Sequence, residues 1–129
     1  MEPFPEDVAR FLYDHVESID QLEILRVLGE ERDKPWNSDE LATAVQADPR
    51  SVQAHIEAMH ARGLIEKIAG QGAGLSCRYG PRTAELENMV ARLLQIYRER
   101  PVSMIKLVYE RAKNPLRAFA DAFRFRKES

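Results

Sequence analysis

Cysteine, long apolar runs and a secretory leader are what this sequence lacks most clearly. Cys77 is the only cysteine among 129 residues, so an internal disulfide and a cysteine-rich zinc cage are both excluded. No apolar run approaches the ~18 residues that a membrane-spanning helix needs. The first residues, MEPFPEDVARF, are acidic and lack the basic segment and apolar core of a signal peptide. We therefore expect a cytoplasmic protein in a reducing compartment, without a membrane span.

Motifs of catalysis and of metal or cofactor binding are lacking as well. The glycine-rich stretch 70–74 links two predicted strands and not a strand to a helix, which makes it a poor phosphate cradle. His55 and His60 lie on one predicted helix but point about 140° apart, and His15 and Cys77 are distant in sequence. Cys77 is expected to be a small buried side chain. The sequence thus predicts no enzyme, no metal site and no cofactor.

The overall composition, 44% hydrophobic and 31% charged, is typical of an ordinary globular protein. Its net charge of −2 conceals an asymmetry, because residues 1–91 hold 9 Lys and Arg against 17 Asp and Glu, whereas residues 92–129 hold 10 against 4. A basic tail of this kind can attract nucleic acid or an acidic partner, or it can pair with the acidic front of its own chain. Composition leaves both readings open.

Apolar periodicity and capping signals predict a mainly helical chain. Ser18 and Gln21 resemble a capping box, Asn37 or Ser38 can cap the third helix, and the pair Asp48-Pro49 can start the fourth. The helices are expected at 6–16, 19–29, 39–45 and 49–62, along a stripe from 83 to 97, and at 101–111 and 115–127.

Two short β-prone runs, 64–69 and 75–79, flank the glycine-rich stretch and predict a hairpin. The extended segment 35–37 can place Trp36 at the remaining sheet edge. The succession of helix, short strand, helix, turn, helix and hairpin is the winged-helix order. The predicted fold is therefore mainly α with a small β-hairpin, a winged helix-turn-helix with extra N- and C-terminal helices.

Particular residues carry a resemblance to a known superfamily over roughly 35–80. They are Ser38-Asp39-Glu40-Leu41-Ala42, Asp48-Pro49-Arg50-Ser51-Val52, Ile56, Met59 and Ala61-Arg62-Gly63-Leu64-Ile65. This pattern resembles that of bacterial transcriptional regulators of the MarR and ArsR type, in which a Leu-Ala pair opens the first helix and Gly-Leu-Ile closes the second. The resemblance implies a regulator that places its second helix in the major groove. The chain's tail, from 115 onward, resembles the tails of small uncharacterised bacterial winged-helix proteins, which favours a bacterial origin.

Helical spacing also predicts which side of the second helix is free. Val52, Ile56 and Met59 follow the i, i+4, i+7 pattern and are expected to face inward. The resemblance then nominates for base contact the residues turned outward, which are Arg50, Ser51, Gln53, Ala54 and Glu57. Arg50 could bond to guanine, Gln53 to adenine and Ala54 to a thymine methyl group, whereas Glu57 opposes phosphates unless it accepts from a cytosine amine.

Lys67 and Arg78 are nominated for contacts to phosphates or the minor groove. The predicted wing itself, 70–74, holds neither Lys nor Arg, although positive charges there usually add phosphate affinity. The sequence therefore leaves open a helix-turn-helix that serves as a packing scaffold or as a protein-binding surface.

The C-terminal part is expected to form an interface, because it is more apolar than surface helices need to be. The residues nominated for a homodimer or partner interface are Leu86, Val90, Leu93, Tyr97, Ile105, Val108, Phe119 and Phe123. The stripe could instead pack on the N-terminal helix of its own chain. The last helix, basic through Arg117 and Arg124, suits a hydrophobic groove, an anionic surface or phosphates, unless its phenylalanines complete a dimer core.

These observations divide the chain into a winged-helix domain with an N-terminal helix, 1–82, and a C-terminal helical dimerisation or interaction region, 83–129. The first functional hypothesis is a homodimeric regulator that binds double-stranded DNA. The second is an adaptor that binds no DNA and holds a protein partner through its C-terminal helices.

Overall fold

The computed structural model describes residues 5–68 and 75–113, with side chains described as far as residue 110. The glycine-rich stretch 70–74 and the predicted last helix, with Phe119 and Phe123, lie outside the described residues. Within the described part the elements are, in order, α1 Glu6–His15, α2 Ile19–Glu30, β1 Trp36–Asn37, α3 Ser38–Val45, α4 Pro49–Ala61, β2 Ile65–Ile68, β3 Ser76–Tyr79, α5 Ala84–Glu99 and α6 Pro101–Lys113.

The three strands form one antiparallel sheet in the order β1-β3-β2. Trp36 stands opposite Cys77, so β1 occupies the sheet edge to which the sequence assigned it. On the other side of β3, Ile65 stands opposite Tyr79 and Glu66 opposite Arg78. The predicted fold class is confirmed: a mainly helical chain carries a small sheet in winged-helix order.

Side-chain caps fix the amino ends of both α3 and α4. The Asn37 side chain accepts a hydrogen bond from the Glu40 amide at 2.8 Å, and the Glu40 carboxylate accepts one from the Asn37 amide at 2.9 Å, which completes a capping box. Asp48 caps α4 by accepting from the amides of Arg50 and Ser51 at 3.1 and 3.3 Å. The starting points of both helices are therefore defined by local sequence.

The described residues fall into two compact units, one formed by those within 20–90 and the other by residues 5–19 with 91–113. In the first, α2 to β3 enclose a core that is fully buried and contains Leu22, Ile24, Leu25, Leu28, Leu41, Val52, Ile56, Met59 and Leu64. In the second, α1 contacts α6, and Val8, Leu12, Val16, Leu93, Met104 and Val108 are buried. The functional division at residue 82 stays a prediction. Among the described helices, none is long and apolar enough to cross a membrane.

Candidate nucleic-acid interface

The two sides of α4 differ sharply in burial. Val52, Ile56 and Met59 are fully buried, which confirms the inward face expected from their spacing. The five nominated residues of the opposite side lie together along the helix: Arg50, Ser51, Ala54 and Glu57 are exposed, and Gln53 is half-buried. Arg50 and Ser51 occupy the first turn, the end that enters the major groove in helix-turn-helix proteins.

The amino end of α4 is already capped by its own sequence. Because Asp48 accepts from the amides of both Arg50 and Ser51, these donors are occupied and the positive end of the helix faces a carboxylate. The side chains of Arg50 and Ser51 remain exposed. A ligand at this end would therefore meet side chains first and the backbone amides of that turn only if it displaced Asp48.

Lys67 lies beside α4 and is held by one of the nominated residues. Its Nζ donates to Oε1 of Glu57 at 2.5 Å, with the side chains of Lys67 and Glu57 35% and 54% exposed. The contact joins β2 to the outer side of α4. The structure thus places Lys67 at the candidate interface, where its ammonium is paired with the carboxylate of Glu57.

Arg78 lies on the other face of the hairpin. Its guanidinium donates to both carboxylate oxygens of Glu66, each at 3.2 Å, across the β2–β3 register pair. Lys67 stands opposite Cys77, one register position along, and successive side chains of a strand point to opposite faces. The two nominated cations therefore do not form one patch.

Sequence reasoning missed Glu66 as a partner of Arg78. Once the hairpin is predicted, a carboxylate and a guanidinium directly opposite each other are the signal that could have found the pair. Both nominated cations are therefore paired with carboxylates. The sequence of the helix-turn-helix and its hairpin is also not basic, since residues 38–80 hold five Asp and Glu against four Lys and Arg.

Six of the eight residues nominated for an interface are described, and most of these six are buried within the chain. Val90, Leu93, Tyr97 and Val108 are buried, and Leu86 and Ile105 are half-buried. Among the side chains that the structure describes, the large apolar ones most open to solvent are two others on α6: Val102 is 77% exposed and Tyr109 is 55% exposed. They are seven residues apart and share one helix face, and neither is among the eight residues nominated for an interface.

In the described part of the chain, no group of three or more His, Cys, Asp and Glu side chains is arranged so that it could hold a metal ion. Cys77 is fully buried in β3, as expected, and burial raises the pKa of its thiol to about 12.

The elements and their order define a winged helix-turn-helix protein with further helices at both ends. Solved structures share this fold. MepR, a transcription regulator of the Staphylococcus aureus multidrug efflux pump MepA, has a TM-score of 0.55 and 14% identity over 89% of this chain and 83% of its own. A protein from Methanosarcina mazei Go1 described as a possible transcriptional regulator has a TM-score of 0.52 and 16% identity, over 78% of this chain and 85% of its own.

RV1404 from Mycobacterium tuberculosis also shares the fold, with a TM-score of 0.52 and 18% identity over 75% of this chain and 68% of its own. No protein-family model and no curated protein sequence matches the chain. The structural likeness supports the winged-helix part of the resemblance seen in the sequence, at the level of the fold.

Proposed function

We propose that this chain is a DNA-binding transcriptional regulator that reads double-stranded DNA with α4 and acts as a homodimer. The observation that carries the proposal is the two-sided character of α4, where an exposed row of polar and small side chains lies over a fully buried apolar stripe. Two solved structures with this fold are of proteins described as transcription regulators or possible ones, which supports the proposal. A regulator of this kind acts at the chromosome, in keeping with the predicted cytoplasmic location.

The four nominated residues of the first two turns each have a role in this proposal. Arg50 bonds bidentately to a guanine, Gln53 bonds to an adenine, and the methyl group of Ala54 packs on that of a thymine. Ser51 can bond to a phosphate or a base edge. A well-made bidentate contact contributes about 1–3 kcal/mol of discrimination against the wrong base, so Arg50 is the residue whose removal is most informative.

The homodimer follows from the same proposal, because helix-turn-helix dimers read two half-sites about one helical turn apart. Val102 and Tyr109 offer an exposed apolar face on α6 that a second copy can cover. The two-fold relation would present the same face from both chains. Paired half-sites at that spacing are therefore expected in any DNA fragment that the protein selects.

Titration against genomic DNA fragments at two salt concentrations tests the proposal. We expect affinity that falls steeply as salt is raised, because phosphate contacts release counterions. Arg50→Ala should weaken binding to the selected fragment by about tenfold or more. Arg98→Ala, which removes the same charge from an exposed position on α5, is the matched control and should have little effect. Absence of binding at micromolar protein and low salt would contradict the proposal.

A second candidate is an adaptor that binds a protein partner through its C-terminal helices and binds no DNA. Two observations favour it: the deficit of positive charge in residues 38–80, and the exposed Val102 and Tyr109 on α6. The titration separates the candidates, since an adaptor would give no salt-dependent DNA binding. A protein partner would then be sought by comparing the wild type with Val102→Asp, a variant expected to lose binding to that partner.

A further inference from the structure

The ion pair between Glu57 and Lys67 lies on the surface that the proposed function assigns to DNA. Glu57 follows Arg50 by seven residues, nearly two full turns, so both side chains leave α4 on the same side and about 10 Å apart along its axis. Lys67 reaches this side from β2, and its ammonium contacts Glu57 at 2.5 Å. Any duplex that meets Arg50 in the groove would also meet this pair.

We infer that Glu57 is an affinity-setting residue: its carboxylate competes with DNA phosphate for the ammonium of Lys67. The inference rests on the proposed function and adds to it a named acidic residue that weakens binding. In the free protein the pair is neutral. On DNA, Lys67 either stays with Glu57 and contributes nothing to phosphate binding, or it exchanges the carboxylate for a phosphate and leaves Glu57 near like charge.

The exposure of the pair makes this exchange feasible. Both side chains are substantially open to solvent, and ion pairs of this kind shift an equilibrium by about fivefold at most. A phosphate can therefore take the place of the carboxylate. Removing the carboxylate should therefore raise the affinity for DNA by a factor of similar size.

A different role for Glu57 would have the opposite signature. A glutamate that accepts a hydrogen bond from a cytosine amine contributes sequence preference, and its removal weakens binding to the preferred site. In the structure Oε1 of Glu57 receives the ammonium of Lys67, so a base amine would share the carboxylate with that ammonium or use Oε2. The direction of the change in affinity on removing the carboxylate therefore distinguishes competition with phosphate from the reading of a base.

The test compares Glu57→Gln with a control that removes the same charge elsewhere. Glu30→Gln is suitable, since Glu30 is also exposed, also pairs with a cation, Arg26 at 2.7 Å, and lies on α2. On the DNA fragment selected by the wild-type protein, at about 0.1 M salt, we expect Glu57→Gln to bind up to about fivefold more tightly. Its log–log salt dependence should steepen by up to about 0.9, the value of one added phosphate contact, and Glu30→Gln should match the wild type.

A double-mutant cycle shows whether the gain passes through Lys67. Lys67→Ala should weaken binding, and Glu57→Gln made on that background should gain less than it does alone. Thermal unfolding of each variant establishes that the fold is retained. If Glu57→Gln binds as the wild type does, or more weakly, the inference is overturned while the proposed function stands. If the wild type, Glu57→Gln and Glu30→Gln all fail to bind DNA, the proposed function fails and the inference with it.

Discussion

Gln21 on α2 and His55 on α4 are joined by a hydrogen bond, with Nε2 of the amide 3.1 Å from Nδ1 of the ring. Gln21 is 1% exposed, so the bond lies at the packed side of α4. The amide donates to Nδ1, which leaves the proton of the neutral ring on Nε2, the nitrogen that lies 3.9 Å from the Asp20 carboxylate. This polar contact is compatible with the same rotation of α4 that buries Val52, Ile56 and Met59.

Gln21→Ala should therefore destabilise the protein by about 1–3 kcal/mol, because it removes a buried hydrogen bond and leaves the ring nitrogen without this donor. Chemical denaturation of the variant and the wild type measures the difference. Gln95→Ala serves as the control: Gln95 is an exposed residue of α5 that donates to Glu99, and its loss should cost no more than about 0.5 kcal/mol. Equal effects of the two substitutions would contradict the structural role of Gln21.

Gly63 ends α4 in a conformation that a side chain disfavours. Its φ is +78°, and a Cβ atom there would lie 3.3 Å from Cβ of Arg82 and 3.4 Å from Cδ1 of Leu86. We expect Gly63→Ala to lower the free energy of unfolding by about 1–2 kcal/mol or more, from the left-handed backbone together with the close approach. Gly29→Ala within α2 should have the opposite sign, a gain of about 0.5–1 kcal/mol. A neutral or stabilising Gly63→Ala would refute this reading.

The features that could be predicted from the sequence are those determined by neighbouring residues, through helix capping and helical periodicity. The caps at Asn37 and Asp48 and the glycine after α4 act within a few residues, and the burial of Val52, Ile56 and Met59 follows from helical period alone. These features were expected where they are found, apart from the choice between Asn37 and Ser38 as the cap.

The partners of the charged residues could not be predicted in the same way. Glu57 meets Lys67 because β2 folds back beside α4, and Glu66 meets Arg78 because the hairpin has one particular register. Gln21 contacts a ring 34 residues away, a partner that its predicted place in a capping box does not indicate. Such contacts depend on tertiary packing, and no local rule selects one partner for a long polar side chain among several within reach.

The thiol of Cys77 should be inert in the folded protein. Burial raises its pKa to about 12, so the thiolate that reacts with alkylating reagents is scarce at pH 8 and the sulfur is also shielded. We expect iodoacetamide to label the native protein at least a hundredfold more slowly than the protein in concentrated guanidinium chloride. Mass spectrometry reads the label without ambiguity, since the chain has one cysteine. Rapid labelling under native conditions would show that β3 is accessible.

A carboxylate on α1 should make a small contribution to stability that depends on pH. Asp7 pairs with Arg92 of α5, one guanidinium nitrogen lying 3.2 Å from Oδ1 and another contacting Oδ2, and the hydrogen bond from Arg92 lowers the pKa of Asp7 below its ordinary value. A carboxyl with a lowered pKa stabilises the fold above its unfolded value of about 3.9, and this stabilisation is lost as pH falls through the folded pKa.

Asp7→Asn should accordingly cost up to about 1 kcal/mol at pH 7, a modest figure because both partners are exposed. The difference from the wild type should shrink as pH falls below about 4, the unfolded value, which urea denaturation at pH values down to 2 can follow. Asp14→Asn, on the exposed part of the same helix, controls for the loss of a charge from α1. A cost that stays constant down to pH 2 would mean that the Asp7 charge is not its source.

The exposed face of α6 gives the sharpest test of self-association. Because Val102 is 77% exposed, placing a carboxylate there costs the folded chain little, whereas burying that charge between two apolar surfaces is strongly unfavourable. If a homodimer forms through this face, Val102→Asp should raise its dissociation constant by at least tenfold. Light scattering over a range of protein concentrations measures the change, and Gln95→Asp adds the same charge to an exposed position on α5 as a control. A wild-type protein that stays monomeric at high concentration would exclude the dimer, and a dimer that Val102→Asp leaves intact would assign it to a different surface.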